Sequence, residues 1–114
     1  MKLSAVNLRT ARLPEMVRFY RDLLGLPCQE RAPGRWEVQV GDLCLALVQG
    51  ENVPPPDPEN CLLEFLVEDA DKEYRRITGL GLAPESEPAD LPWGYRYFAI
   101  KDPDGNCIDF VQKL

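Results

Sequence analysis

Trp93-Gly94-Tyr95-Arg96-Tyr97-Phe98-Ala99-Ile100-Lys101-Asp102-Pro103-Asp104-Gly105-Asn106-Cys107-Ile108-Asp109-Phe110-Val111-Gln112 is the stretch on which the fold turns. An aromatic, β-prone run meets Asp-Pro-Asp-Gly-Asn, and an alternating run follows. Proline suits the second position of a turn and glycine accepts positive φ, so the stretch reads as strand, tight turn, strand. What matters for function is which side chains of this hairpin look into a cavity, and the rest of the chain decides that.

Working outward, the 114 residues suit one domain with a core that needs no staples. No apolar run reaches the roughly 18 residues of a membrane span. The start, Met1-Lys2-Leu3-Ser4-Ala5, lacks the build of a signal peptide, which points to the cytoplasm. Four cysteines (Cys28, Cys44, Cys61, Cys107) lie far apart with no C-x-x-C pair, so reduced thiols are expected rather than a disulfide framework. A net charge of −6 argues against nucleic acid or an anionic membrane surface as partner. Histidine is absent. That removes Ser-His and Cys-His nucleophile pairs, a histidine base and histidine metal ligands.

Residues 3–10 alternate as a half-buried strand, with Val6 and Leu8 on one face and Ala5, Asn7 and Arg9 on the other. Pro14 fits the first turn of a helix running to about Leu24, stopped by Gly25 and poorly capped at its start. Three short strands follow between Leu26 and Val48, with turns at Ala32-Pro33-Gly34 and Gly41-Asp42. Trp36, Val38 and Val40, with Leu43, Leu45 and Leu47, should face the helix, leaving Glu37, Gln39, Cys44 and Ala46 on the opposite face. Residues 51–60 carry Pro54, Pro55, Pro56 and Pro58 and form a stiff linker. The order then repeats: a strand over Cys61–Val67, a helix capped by Asp69 or Asp71 and stopped by Gly81, a short strand near Leu82–Glu85, a loop over Pro88–Trp93, and the hairpin. Strand, helix and three strands thus occur twice, in residues 1–50 and 61–114, an internal structural repeat.

The repeat resembles the vicinal oxygen chelate superfamily, which includes glyoxalase I, fosfomycin-resistance proteins, extradiol dioxygenases and bleomycin-resistance proteins. The resemblance rests on Phe19-Tyr20-Arg21-Asp22-Leu23-Leu24-Gly25-Leu26, on Phe65-Leu66-Val67-Glu68-Asp69, and on Pro92-Trp93-Gly94 followed by Asp102-Pro103-Asp104-Gly105-Asn106. It covers essentially the whole chain. It implies an α+β fold of two βαβββ modules whose curved mixed sheets surround a cavity. In metal-using members, His and Glu from the first and fourth strands of each module hold a divalent ion. Carried over, those positions are Ala5, Cys44, Leu62 and Asp109, two of which cannot coordinate anything. The expectation is therefore no metal and no cofactor.

Strand parity places Asn7, Arg9, Glu37, Gln39, Cys44, Glu64, Tyr97 and Asp109 toward that cavity, a polar lining of three carboxylates, one guanidinium and an aromatic ring. Trp93 stands over it as a lid or, in the reading we prefer, anchors its loop. Each residue also has a plainer role open to it: Glu37 and Glu64 on a solvated face, Arg9 in a structural ion pair, Tyr97 in packing. The leading expectation is a metal-independent small-molecule binding or sequestering protein of the bleomycin-resistance type, its acidic lining favouring cationic or polar ligands. The alternatives are a lyase or isomerase using a reduced metal site or carboxylate acid/base chemistry, and a ligand-sensing module. The resemblance further implies a homodimer.

Overall fold

A computed structural model describes residues 1–114, which divide into two compact units, Met1–Pro55 and Pro56–Leu114. The first runs β1 (Ala5–Thr10), α1 (Leu13–Leu24), β2 (Cys28–Ala32), β3 (Arg35–Val40) and β4 (Leu43–Gln49). The second runs β5 (Leu62–Leu66), α2 (Ala70–Gly79), β6 (Ala89–Leu91), β7 (Tyr95–Lys101) and β8 (Cys107–Lys113). Each unit holds one open four-stranded sheet, ordered β1-β4-β3-β2 and β5-β8-β7-β6. The first strand of each pairs parallel with the last, and every other pairing is antiparallel. This is the α+β, twice-βαβββ architecture expected from the sequence.

Local chemistry explains the helix ends. Pro14 occupies the first turn of α1, Arg12 offers no side-chain cap, and Gly25 closes the helix in the left-handed conformation, its N–H donating to the Arg21 carbonyl at 3.0 Å. In α2 the cap is Asp69 rather than Asp71, its Oδ1 accepting from the Lys72 N–H at 3.0 Å. Asp71 is instead held by Arg96 of β7 at 3.1 Å, and Arg96 also grips Asp90 of β6 at 2.8 Å. Beyond α2, Gly81 and Leu82 donate back to Thr78 and Ile77, a paired-bond helix stop.

Each helix covers one sheet face. Met16, Tyr20 and Leu23 of α1 are fully buried with Val38, Leu45 and Leu47, and Ile77 of α2 with Phe98, Ile100 and Ile108. Burying each large apolar side chain contributes about 1.5–3 kcal/mol before entropy is charged against it. Alternation then turns the intervening residues to the opposite face, as the sequence pattern implied.

Two expectations need correction. No strand forms over Leu82–Glu85: the Leu82 N–H is used by the helix stop, Pro84 has no N–H to give a ladder, and only the Glu85 N–H reaches β7, at the Ala99 carbonyl. The edge strand lies instead at Ala89–Leu91, inside the stretch read as a loop, where Asp90 sits opposite Arg96. Nor does Trp93 anchor that region. It occupies the tight turn between β6 and β7, where the Gly94 N–H donates to the Leu91 carbonyl, and it is 70% exposed. The turn closes through backbone and leaves the indole outside.

Candidate functional site

On the uncovered face of the first sheet, the register sets Ala5, Asn7 and Arg9 of β1 beside Cys44, Ala46 and Val48 of β4, with Arg35, Glu37 and Gln39 of β3 beyond them. Five predicted site residues (Asn7, Arg9, Glu37, Gln39 and Cys44) therefore share this face. What the sequence reading missed is the arginine content. Arg35 Nε donates to Glu37 Oε2 at 2.7 Å, Arg31 Nε donates to Glu37 Oε1 at 3.0 Å, and Arg35 Nη1 donates to Asn7 Oδ1 at 2.7 Å. The guanidinium of Arg35, then that of Arg31, holds the Glu37 carboxyl below its ordinary pKa. Glu37 is thus a clamped anchor and not a free acidic group. The face it serves carries more guanidinium than carboxylate.

Both arginines were within reach of the sequence. Arg35 stands two residues before Glu37 and so shares its face, one residue ahead of the apolar alternation that starts at Trp36. Arg31 shares the parity of Gln29 and lies within the register shift between Glu30 and Ala32. Gln29, Arg31, Glu37 and Gln39 line a small polar recess of about 240 Å³ with Pro27 at the sheet edge. Gln39 itself turns its amide to the Gly41 carbonyl at 2.8 Å, bracing the β3–β4 turn.

The second sheet presents a different face. Glu64 of β5 lies directly beside Asp109 of β8, which lies beside Ala99 of β7. One row along come Leu66, Val111 and Tyr97. Asp109 is half-buried, and its carboxyl is lifted above the usual range, first by desolvation and then by the neighbouring Glu64 charge. Lys101, on the same face of β7, is engaged by Glu85 at 3.6 Å. Leu62 and Leu66 stay 47% and 73% exposed, so the carboxylate pair sits between two uncovered leucines.

Because the folded state binds a proton to Asp109 more tightly than the unfolded chain does, stability falls as pH rises from the usual carboxylate pKa through the raised one. The penalty is complete above it. Asp109→Asn should therefore raise the melting midpoint at pH 7 slightly, an effect kept small by the solvent still reaching the group. The gain should fade as pH drops and vanish only well below the usual carboxylate pKa of roughly 3.9, where the carboxyl is neutral in both the folded and unfolded states. Equal midpoints at pH 7 would show that Asp109 is not strained.

The four positions that hold a divalent ion in metal-using members do not fit one here. Ala5 lies beside Cys44, and Leu62 lies beside Cys107, so hydrocarbon stands where two of the ligands would be. Within neither module do three Cys, Asp or Glu side chains gather. The lone Cys44 thiol of the first module, and the Glu64–Asp109 carboxylate pair of the second, each fall short of the three or four protein donors that such a site needs. All four cysteines are unbridged.

Two modules of strand, helix and three strands define an α+β protein built on one repeated unit. The chain belongs to the glyoxalase/bleomycin resistance protein/dioxygenase superfamily, whose family model matches residues 2–110. It is 31% identical to YraH of Bacillus subtilis (strain 168) over 128 aligned positions, covering all of both chains. A bleomycin resistance protein of Geobacillus stearothermophilus is 41% identical over 56 residues, 48% of this chain and 41% of that one. The match to that relative thus spans less than half of its length. A glyoxalase/bleomycin resistance protein/dioxygenase from Nocardioides superposes with a TM-score of 0.83 at 24% identity, covering 100% of this chain and 84% of the other, a likeness of fold.

Proposed function

We propose that this chain is a small-molecule binding or sequestering protein that works without a metal and takes a cationic or polar ligand on the sheet face carrying Glu64 and Asp109. The observation that carries this reading is the pair itself. Two carboxylates side by side, one of them half-buried and raised in pKa, carry an electrostatic cost that an ammonium or guanidinium group would relieve through charge-assisted hydrogen bonds. Ala99 beside Asp109 leaves room above the strand, and Tyr97 in the next row offers a ring for an apolar or cationic body. The acidic character belongs to this face. The first module's own face is guanidinium-rich and would suit anionic groups instead. Kinship with proteins named for bleomycin resistance gives a first probe.

Calorimetric titration with bleomycin and with simple polyamines tests the reading. Binding should weaken about tenfold in Asp109→Asn and in Glu64→Gln, the loss of one charge-assisted contact each. We propose a homodimer as well, so light scattering on the same samples should give twice the 12.9 kDa chain mass. Tighter binding of anions than of cations, or indifference to both substitutions, would sink the charge argument.

A further inference from the structure

We infer that the first module carries a separate binding site, on the helix-covered side of its sheet, for an organic ammonium ion with an apolar body of about one aromatic ring. Leu13, Pro14 and Val17 of α1 and Trp36 of β3 wall a cavity of about 450 Å³ there. That lies within the usual range for small-molecule pockets, roughly 300–1,000 Å³. Its origin is local. The β2–β3 turn passes through Gly34 at φ 78°, so no side chain rises where the turn meets the end of β4. A Cβ there would already stand 3.4 Å from that of Gln49. The helix begins at Leu13 and borders this gap without filling it.

The polar groups at the rim decide what the cavity prefers. Glu30 pairs with Trp36 across β2 and β3, which puts carboxylate and indole on the same side of the sheet. The Glu30 carboxylate enters no hydrogen bond or ion pair with the protein. The adjacent Arg31 does not serve it, being turned to the other face and held by Glu37 at 3.0 Å. Gln49 supplies the remaining polar edge, its Nε2 donating to the Gly50 carbonyl at 3.2 Å. An apolar cleft with an indole wall and one unpaired carboxylate at its rim is complementary to a cation with a hydrophobic tail. The ammonium reaches Glu30 and the face of Trp36 while the tail lies along Leu13, Pro14 and Val17. Anions of the same shape are repelled by Glu30 and by the −6 charge of the chain. None of these residues lies on the Glu64–Asp109 face, so this site and the proposed function stand or fall separately.

The chain has two tryptophans, Trp36 and Trp93, so single-tryptophan variants report each position. In Trp93→Phe protein, 4-phenylbutylammonium should change Trp36 emission saturably. In Trp36→Phe protein, Trp93 should stay silent. Affinity should fall about 5–10-fold in Glu30→Gln, and by a similar factor for 4-phenylbutan-1-ol, while 4-phenylbutyrate binds more weakly still. Val17→Phe should fill the cleft and abolish the signal. Should that buried change unfold the chain, the exposed Glu30→Gln carries the test alone. The inference is overturned if Trp36 does not respond, if the three headgroups bind alike, or if affinity drops in Asp109→Asn and not in Glu30→Gln. Concentration-dependent Trp36 emission without any ligand would assign the cleft to a second copy of the chain, and would equally overturn it.

Discussion

Phe98→Ala should lower the unfolding free energy by about 3–5 kcal/mol, the usual loss for deleting a buried aromatic side chain. Phe98 is 0% exposed at the centre of β7. Its ring stacks on Phe110 with centroids 5.1 Å apart and planes 14° apart, and meets Tyr74 of α2 edge-on at 5.5 Å. Phe110 in turn leans on Phe65 of β5 at 5.7 Å, so one aromatic row spans three strands and the helix. Alanine would leave a cavity and remove two aromatic pairs, each contributing about 0.5–1.5 kcal/mol beyond its burial. Phe98→Leu keeps most of the volume and should lose less than half as much. Urea unfolding with an unchanged slope would report the loss as a shift in midpoint. A midpoint that moved no further than for exposed Trp93→Phe would show that the aromatic row is not the core of this module. The consequence reaches the ligand face. Phe98 and Phe110 point to the helix, which turns Ala99 and Asp109 the other way and holds Asp109 beside Glu64.

The second large effect is expected at the turn of the same hairpin. Asp102 is only 5% exposed, and its Oδ1 accepts the N–H groups of Asp104 and Asn106, both at 2.9 Å. Its Oδ2 accepts Asn106 Nδ2 at 2.7 Å. Asp102→Ala would strip partners from three donors and should cost about 2–4 kcal/mol, at 1–3 kcal/mol for each donor left unsatisfied and less where water enters. Asp102→Asn keeps an oxygen for the two backbone N–H groups and should be much milder. Amide exchange at Asp104 and Asn106 should quicken by about 10–100-fold in the alanine variant and much less in the asparagine one. Unchanged exchange would mean that the backbone bonds from Gly105 to Asp102 (2.9 Å) and from Asp102 to Asn106 (3.0 Å) hold the turn unaided.

Much of this is legible in the sequence alone. Asp-Pro-Asp-Gly-Asn announces its turn because proline and glycine restrict backbone angles locally. Gly25 and Asp69 end or begin helices for similarly local reasons. Alternation assigned Asn7, Glu37, Cys44, Glu64 and Asp109 to the uncovered sheet faces, because parity survives wherever a strand is regular. The reading failed where segments compete for the same groups. Leu82–Glu85 looks like a strand until the α2 stop takes the Leu82 N–H. Ala89–Leu91 looks like a loop until Asp90 meets Arg96. The lining was read as three carboxylates against one guanidinium, but Glu37 is claimed by Arg31 and Arg35.

By itself, then, the chain's order of residue types determines the twice-repeated strand–helix–sheet plan, the hairpin from Tyr95 to Lys113, and hydrocarbon at two of the four positions where metal-using relatives carry ligands. Those features depend on backbone preference, period-two alternation and the presence or absence of a donor atom, all readable one residue at a time. Tertiary structure alone decided which charges meet. It set Glu64 against Asp109, gave Glu37 two arginines, left the Glu30 carboxylate with none, and opened a cleft above Gly34. Register and packing bring together side chains far apart in sequence, and electrostatic interaction falls off with distance in space rather than along the chain.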